Sequence, residues 1–385
     1  YYYFITSNFS LMKSLEVRRG FAATPDPKAA ILQLEKKLKN SYDQFNFLFC
    51  SSNYNLDLLG AEIKDAFGNN VLCCTTAGEI SSEGYSKDSI VGASISSKKM
   101  KFHKYFIPDV EEFDSVYAKE MHASFLNNIE KSSLHKPKYI GIVIIDGLSM
   151  KEDNIIAILS KTFENVEIVG GSSGDDLKFN KSFIYNEGKF HDNSAELLII
   201  ETELPYITFN TQHFEPIDKK LVITDADPSQ RIVYEINGEK AAFEYARILG
   251  IEVNELNPQL FARYPVMINI GGNWYIRSIA KVNDDFSMTF FCAIDSGLVL
   301  TIAKGNDIIH NLKNKLVEIH SHLGEISLIL AFDCILRRLE VEQKNLSKDM
   351  NKIFSTENII GFNSYGEQCN FVHVNQTLTG VAFGK

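Results

Sequence analysis

Three carboxylates each end a short turn of small residues that follows an apolar, strand-like run, and each comes after a glycine of its turn. The turns are residues 75–79, 170–175 and 361–367, and they end at Glu79, Asp175 and Glu367. A glycine lets the backbone approach a ligand closely, while a carboxylate beside it can orient the ligand or hold the turn by accepting amide hydrogen bonds. Both roles remain possible for these carboxylates. If they contact a ligand, they could also act in acid–base catalysis in a cleft.

His373 differs from the other histidines because it lies in a strand-like run, residues 371–377, directly after the last of these turns. Side chains alternate between the two faces of a strand, so His373, Asn375 and Thr377 share one face. Three polar side chains on one face of an otherwise apolar strand indicate a lined cavity. The alternative interpretation is an edge strand that exposes them to water.

Arg277 places a guanidinium inside an apolar, aromatic strand-like run, residues 274–279. A guanidinium in such surroundings can bind a ligand carboxylate through two parallel hydrogen bonds. The alternative is a surface ion pair with Asp284 or Asp285. Arg263, just ahead of another predicted strand, is a second candidate cation with the same ambiguity.

Patterns typical of common enzymes and metal sites are missing from the sequence. It contains no HExxH, no cysteine and histidine spacing typical of zinc and no Gly-Lys-Ser/Thr phosphate loop. The six cysteines lie mostly in apolar runs and are interpreted as buried thiols of a reducing cytoplasm. The sequence therefore favours a binding protein over an enzyme.

The net charge of −10 at pH 7 and the lack of a basic cluster argue against nucleic acid or an anionic membrane surface as the main partner. No run is long and apolar enough to cross a bilayer, and the first residues lack the features of a secretory signal. We therefore expect a cytoplasmic protein without membrane insertion. Residues 1–20 are expected to be an extension or an N-terminal arm outside the fold.

The order of elements around the turns predicts repeated copies of one unit. A unit has a helix, a buried strand, a second helix, a second strand, the turn, and extended runs that suit antiparallel strands. Such α-β-α-β-β-β units predict an α/β protein of mixed α+β character, with mixed sheets covered by helices. Two sheets packed face to face and one open sheet per domain both fit the periodicity. At 385 residues the chain is expected to form two tandem domains, residues 21–204 and 205–385.

The region 206–304 departs from this pattern because predicted strands dominate it, with one helix near residues 241–249. It is interpreted as a degraded copy of the unit whose helices are shortened. The third clear copy follows this region and contains a long helix predicted at residues 334–350.

The turn regions 76–80 and 169–176, with the closing runs 361–367 and 375–379, resemble the FIST sensory proteins, in which FIST N and FIST C domains lie in tandem. The resemblance covers nearly all of the chain beyond residue 20 and is most specific in the closing runs. It implies an intracellular module that senses a small molecule, for which amino acids have been proposed. Ligand-pocket candidates under this resemblance are Glu79, Asp175, Tyr365, Gly366, Glu367 and Thr377.

No signalling output domain accompanies these regions, so the resemblance implies output through a separate protein. A histidine kinase or a cyclic-di-GMP enzyme acting in trans is the expected partner, and a homodimer is compatible with this role. The rival hypothesis is an enzyme whose cleft uses Glu79, Asp175 and Glu367 for acid–base work.

The runs 365–368 and 373–380 are similar, more narrowly, to a stand-alone subset of these proteins, the haem-binding nitric-oxide sensors called NosP. This resemblance implies a haem whose iron is bound by one neutral histidine, with nitric oxide on the open face. His373 is the first choice for that ligand and His213 the second. The other residues expected at the cofactor are Arg277 or Arg263, which would pair with a propionate, and Asn375.

Overall fold

A computed structural model describes residues 15–39 and 44–385 of the chain. Within these ranges the helices are α1 (Pro27–Leu38), α2 (Leu56–Phe67), α3 (Ser115–Glu130), α4 (Glu152–Thr162), α5 (Ala241–Leu249), α6 (Pro258–Arg263), α7 (Ile308–Leu323), α8 (Ile335–Gln343) and α9 (Ser347–Thr356), with a 3₁₀ turn at Val253–Glu255. Among the described residues, no helix is long and apolar enough to span a membrane.

Three six-stranded sheets form the body of the protein. In spatial order, the first contains β1 (Glu16–Ala22), β6 (Ile90–Ser96), β2 (Phe45–Ser51), β3 (Val71–Thr76), β10 (Ile184–Asn186) and β11 (Lys189–His191). The second contains β25 (Val372–Val374), β24 (Glu367–Cys369), β9 (Glu167–Ser172), β8 (Lys138–Ile145), β12 (Ala195–Thr202) and β7 (Met100–Ile107). The third contains β13 (Tyr206–Thr211), β26 (Leu378–Gly384), β22 (Ile326–Cys334), β23 (Ile359–Ser364), β4 (Glu79–Ser81) and β5 (Gly84–Ser86).

These sheets are three copies of one unit that exchange a hairpin. The centre of each sheet is a parallel pair, β2 with β3, β8 with β9, or β22 with β23. The short hairpin of each unit leaves its own sheet, so that β4–β5 pairs with β23, β10–β11 with β3, and β24–β25 with β9. The units therefore close into a pseudo-threefold ring, and the prediction of a mixed α/β protein built from repeated units is confirmed.

One apolar core lies between the three sheets. Phe47, Ile142 and Leu330 hold equivalent positions on the central strands and are fully buried in it. The outer faces carry separate apolar clusters beneath the helices. Each fully buried side chain of this kind contributes about 1.5–3 kcal/mol, so the shared core holds the units together. Neither face-to-face sheet pairs nor one open sheet per domain describes this packing.

The helix that opens each unit begins after an aspartate. Asp26, Asp114 and Asp307 precede α1, α3 and α7, and each side chain accepts backbone N–H groups of the first turn. Such a cap pairs amides that the helix itself cannot pair and is typically worth about 1 kcal/mol. The repeat is therefore visible in its capping residues as well as in its strands.

A fourth sheet is inserted between β13 and α7. Its strands are β14 (Phe214–Asp227), β15 (Ile232–Ile236), β16 (Glu239–Lys240), β17 (Val266–Ile270), β18 (Asn273–Arg277), β19 (Ile279–Val282), β20 (Met288–Phe290) and β21 (Val299–Gly305). This inserted sheet has an apolar core of its own, to which α5 and α6 contribute. The interpretation of this region as a degraded copy is therefore wrong, because β13 belongs to the third unit and the rest is an insertion.

Two elements predicted as continuous are interrupted. The helix predicted at residues 334–350 is split into α8 and α9, because Asn345 adopts a positive φ of 58° that a helix does not allow. The strand-like run predicted at residues 274–279 breaks at Ser278, so that β18 and β19 lie at opposite ends of the inserted sheet. This second break places Arg277 and Ser278 where the inserted sheet meets the body.

The first strand includes residues that the sequence assigns to an extension. Residues 16–20 belong to β1, whose seven residues all pair with β6. Because these pairs complete the first sheet, this stretch is part of the fold. Residues 1–14, the rest of the expected extension apart from Leu15, lie outside the described residues.

Candidate functional site

The three turns with their glycines meet at one end of the central core. Amide-to-carbonyl hydrogen bonds join them into a ring, from Ala77 to Asn363 (2.9 Å), from Gly174 to Thr75 (3.0 Å) and from Ser172 to Gly366 (2.7 Å). The ring forms because the carboxyl ends of the parallel strands of all three units point to the same end of the molecule. The repeat thus brings the predicted turn carboxylates into one region.

Glu79 and Glu367 occupy matching positions in this ring and are fully buried. Each accepts two hydroxyl hydrogen bonds, from Thr76 (2.7 Å) and Ser89 (2.5 Å) to Glu79, and from Ser364 (2.5 Å) and Thr377 (2.7 Å) to Glu367. Burial raises the pKa of both carboxyls to about 8, although these hydrogen bonds lower it in part. Both groups are therefore mainly protonated at neutral pH and bonded to their own turns.

Asp175 holds the turn that follows β9. Its carboxylate accepts the hydroxyl of Tyr365 at 2.5 Å. It also accepts backbone amides from the loop that it precedes, those of Phe179 (2.9 Å), Asn180 (2.6 Å) and Lys181 (3.0 Å). Through these contacts Asp175 and Tyr365 stabilise the turns of the ring.

His373, Asn375 and Thr377 are almost completely buried, with 1, 1 and 2% of their surfaces exposed. They are buried even though β25 is the edge strand of the second sheet, because β18 of the inserted sheet lies against it. The interpretation as an exposed edge strand is therefore wrong. Gln376 has a positive φ of 53° and ends the extended run, so the three side chains do not line one continuous strand face.

The inserted sheet meets the β24–β25 hairpin at a region that we call the polar junction, formed by Arg277, Ser278, Gln368, His373, Asn375 and Gln376. Seven of its side-chain atoms are buried and have no hydrogen-bond partner within the described part of the chain: Arg277 Nε, Ser278 Oγ, Gln368 Oε1, His373 Nε2, Asn375 Nδ2 and Oδ1, and Gln376 Oε1. An unpaired buried polar group costs about 1–3 kcal/mol. Because such groups are nearly always paired in proteins, bound water or a bound ligand best accounts for this set.

Other atoms of the same side chains are firmly held. Arg277 Nη1 donates to the backbone carbonyl of His373 at 2.8 Å. The amide nitrogen of Gln368 lies 2.9 Å from Ser172 Oγ and 3.2 Å from His373 Nδ1. The amide nitrogen of Gln376 donates to the carbonyl of Ala262 at 3.1 Å. The unpaired atoms of Arg277, Gln368, His373 and Gln376 therefore belong to oriented side chains.

Charged residues of α4 and of the turn before β15 flank the polar junction. Arg231 Nη2 lies 2.5 Å from Glu152 Oε2 and 3.3 Å from Asp153 Oδ2, and Asp153 also accepts the amide of Ala293 at 3.0 Å. Burial acts to raise the pKa of Asp153, but His373, Arg231 and Arg277 outweigh it and hold this pKa below its ordinary value. The side chain of Asp153 is 25% exposed, so an anionic group lies where solvent reaches the junction.

Burial lowers the pKa of His373, so its imidazole is neutral at neutral pH. Because Nδ1 faces the donor amide of Gln368, the proton of the neutral ring is on Nε2 in this arrangement. His373 therefore presents a hydrogen-bond donor through its unpaired nitrogen.

The other predicted cofactor residues lie elsewhere. Arg263 is exposed at the end of α6, and its guanidinium lies 5.3 Å from the ring of Tyr264. His213 is buried in a separate cluster, with Nε2 3.0 Å from Glu340 Oε1 and Nδ1 3.4 Å from Arg337 Nη1. Of the predicted residues, Arg277, His373, Asn375 and Gly366 are therefore the ones that come together at the junction.

Several residues at the site are not predicted from the sequence, namely Glu152, Asp153, Arg231, Ser278, Gln368 and Gln376. Adjacent acidic residues at the start of a predicted helix were the one available signal, and solvent exposure explains such a pair equally well. The partners of Glu152 and Asp153 lie in the insertion, far along the chain, so no local pattern connects them.

A haem does not fit the polar junction as it is arranged. A methyl group built on Gly366 would overlap His373 Cε1 and lie 2.8 Å from Nε2, so the Gly366 backbone packs against the ring edge that an iron would approach. With the Gln368 amide nitrogen donating to Nδ1, the ring carries its proton on Nε2, whereas an iron ligand needs the free lone pair. Both Gly366 and the imidazole tautomer would have to change before iron could bind.

Comparison with known families gives two adjacent matches. Residues 44–239 match the FIST N domain, and residues 241–370 match the FIST C domain. The two matches meet between β16 and α5, inside the inserted sheet. A search of curated proteins found no match. Three residues of the polar junction, Arg277, Ser278 and Gln368, lie in the second match and the other three lie just beyond it, whereas the flanking Asp153 and Arg231 lie in the first.

Proposed function

This chain belongs to the FIST family, whose domains are associated with sensing small ligands in signal transduction, and we propose that its own ligand binds in the polar junction. The proposed ligand is a small molecule with a carboxylate and an amino group, of which an amino acid is the simplest example. The observation that carries this proposal is the set of seven buried polar atoms that have no hydrogen-bond partner among the described residues.

The charges around the junction favour a zwitterion. Arg277 Nε has no partner among the described residues, so the guanidinium can donate hydrogen bonds to a ligand carboxylate. A carboxylate is the group that the parallel N–H donors of a guanidinium fit best. Asp153 provides an accessible carboxylate for an ammonium group. Asn375, Ser278 and the Nε2–H of His373 then supply uncharged donors and acceptors for the remaining polar atoms.

The position of the junction suggests how binding reaches a partner. Ligand atoms there would bridge the inserted sheet and the β24–β25 hairpin, which itself joins the third unit to the second sheet. Occupancy therefore stabilises one placement of the insertion against the body. In this proposal a separate cytoplasmic signalling protein, such as a histidine kinase or a cyclic-di-GMP enzyme, reads that placement.

Isothermal titration calorimetry with each of the common L-amino acids tests the proposal. We expect at least one to bind with one-to-one stoichiometry, and we expect Arg277→Met to weaken that binding by at least about tenfold, the effect of losing a charge-assisted hydrogen bond. Arg263→Met is the matched control, since it removes an exposed arginine outside the junction. Equal loss of binding in both variants would contradict this site.

A haem-based nitric-oxide sensor is the second candidate, favoured by the buried, unpaired Nε2 of His373. It requires that Gly366 move and that the imidazole change its tautomer. Titration of haem followed by its Soret absorbance, with and without nitric oxide, tests this function. A stoichiometric band that shifts with nitric oxide and is lost in His373→Ala would support it, whereas a band unaffected by this substitution would exclude His373 as the ligand.

A further inference from the structure

A surface cavity of about 560 Å³ lies between the edge strand β13 and the start of the second sheet's parallel strands. The residues that matter for its chemistry are Lys138, Tyr139, Asn165, Glu167, Tyr206 and Thr208. It shares no residue with the polar junction. The residues at the equivalent positions of the other two units explain why a cavity is present here.

Arg19, Lys104 and Thr208 hold the same position in the three units, on the outer strands β1, β7 and β13. The strand pairings establish this equivalence, since they connect Arg19 through Ala93 to Phe47, Lys104 through Leu198 to Ile142, and Thr208 through Val381 to Leu330. Two units therefore carry a long cation where the third carries a short hydroxyl side chain.

The two cations each reach the neighbouring unit. Arg19 Nη1 donates to the carbonyl of Glu357 at 3.2 Å, and its Nη2 donates to Asn358 Oδ1 at 2.9 Å. Lys104 Nζ forms an ion pair with Glu196 Oε1 of its own sheet at 2.8 Å and also donates to the carbonyl of Asn69 at 3.4 Å, which is the position equivalent to Glu357. In both units a positive group therefore fills the gap between an outer strand and the start of the next unit's second parallel strand.

Beside β13 the neighbouring second unit provides the acceptor, but the outer strand provides no cation. Glu167 stands two residues before Val169 in the central pairing of its sheet, as Asn358 stands two residues before Ile360 in the third sheet. Thr208 Oγ1 donates to Glu167 Oε2 at 2.9 Å, but a threonine is too short to fill the space that an arginine fills elsewhere. The space left unfilled beside Thr208 is the cavity. It presents the Glu167 carboxylate at the position where the Arg19 site has the side-chain amide oxygen of Asn358.

We propose that this cavity binds a guanidinium group supplied from outside the chain. Glu167 pairs with its charge, and the ring of Tyr206 offers a face on which a planar cation stacks. Lys138 lies on the rim, with its ammonium 5.9 Å from the centre of the Tyr206 ring. A ligand that also bears a carboxylate can pair with Lys138, whereas a ligand with a second cation is repelled by it.

Thr208→Arg tests the proposal without any ligand. It restores to β13 the side chain that β1 already carries, so we expect the cavity to be filled and the melting temperature to rise. Thr208→Gln, of similar length and without charge, is the matched control and should give a smaller rise. A melting temperature lowered by Thr208→Arg, or raised equally by both variants, would overturn the proposal.

Binding of 4-guanidinobutyrate, which has a guanidinium and a carboxylate but lacks the amino group proposed for the ligand of the polar junction, and of an extended peptide with one central arginine, each followed by calorimetry, distinguishes a free ligand from a partner's side chain. At least one of the two ligands should bind the unaltered protein, and that ligand should fail to bind Thr208→Arg. Glu167→Gln should weaken binding by about tenfold through loss of the charged pair, and the exposed, nearby Glu164→Gln should not. Binding of neither ligand, or binding that survives Thr208→Arg, would refute the assignment.

Discussion

Arg277 and His373 are joined by a hydrogen bond of 2.8 Å, from Nη1 of the arginine to the backbone carbonyl of the histidine. It connects the last residue of β18, in the insertion, to the middle of β25, in the hairpin that the third unit lends to the second sheet. Both residues are buried, so this contact forms part of the internal connection between insertion and body.

Replacing this arginine should destabilise the protein even without ligand. Arg277→Met leaves the buried carbonyl of His373 without its donor, which costs about 1–3 kcal/mol. Urea denaturation followed by circular dichroism measures the change. Arg263→Met, at an exposed position, should alter the unfolding free energy by about 0.5 kcal/mol or less. Equal effects of the two substitutions would contradict the role given to Arg277.

Stability should fall as pH rises, because of the buried carboxyls in the turn ring. An ordinary glutamate has a pKa of 4.5, whereas those of Glu79 and Glu367 are about 8, so between these values the folded protein holds protons that the unfolded chain has released. The unfolding free energy therefore decreases across this range, by up to about 1.4 kcal/mol per pH unit for each carboxyl, and levels off above it.

Denaturant midpoints measured from pH 5 to pH 9 test this dependence. Glu367→Gln removes the titrating proton and keeps the size of the side chain, so its stability should decline less steeply than that of the unaltered protein. The exposed Glu164→Gln should follow the unaltered profile. Parallel profiles for the unaltered protein and Glu367→Gln would show that the Glu367 carboxyl is already ionised in the folded state.

Gly366 should tolerate no side chain while His373 is present. A methyl group there overlaps the imidazole, and overpacking of this kind costs about 1–3 kcal/mol. A double-mutant cycle with His373→Ala, read by urea denaturation, isolates the contact. The cost of Gly366→Ala should largely disappear in the His373→Ala background, and an unchanged cost would place the clash elsewhere.

The repeated unit could be predicted from sequence because its signals are local: the capping aspartates, the apolar strands and the turns with their glycines. The hairpin exchange could not be predicted, because a short strand can pair equally well with either neighbouring sheet. Its sequence pattern does not indicate which sheet it joins. For the same reason the sequence left the burial of His373 open, since the strand that covers it ends at Arg277, almost a hundred residues away.

The most direct test of the proposed sensor is the nuclear magnetic resonance signal of the His373 ring nitrogens in protein labelled with ¹⁵N-histidine. Adding the amino acid that binds in calorimetry should shift the His373 signals along a one-site curve and leave those of His213, which is bonded to Glu340, in place. Binding that leaves the His373 signals unmoved, or that shifts His213 instead, would contradict the polar junction as the ligand site.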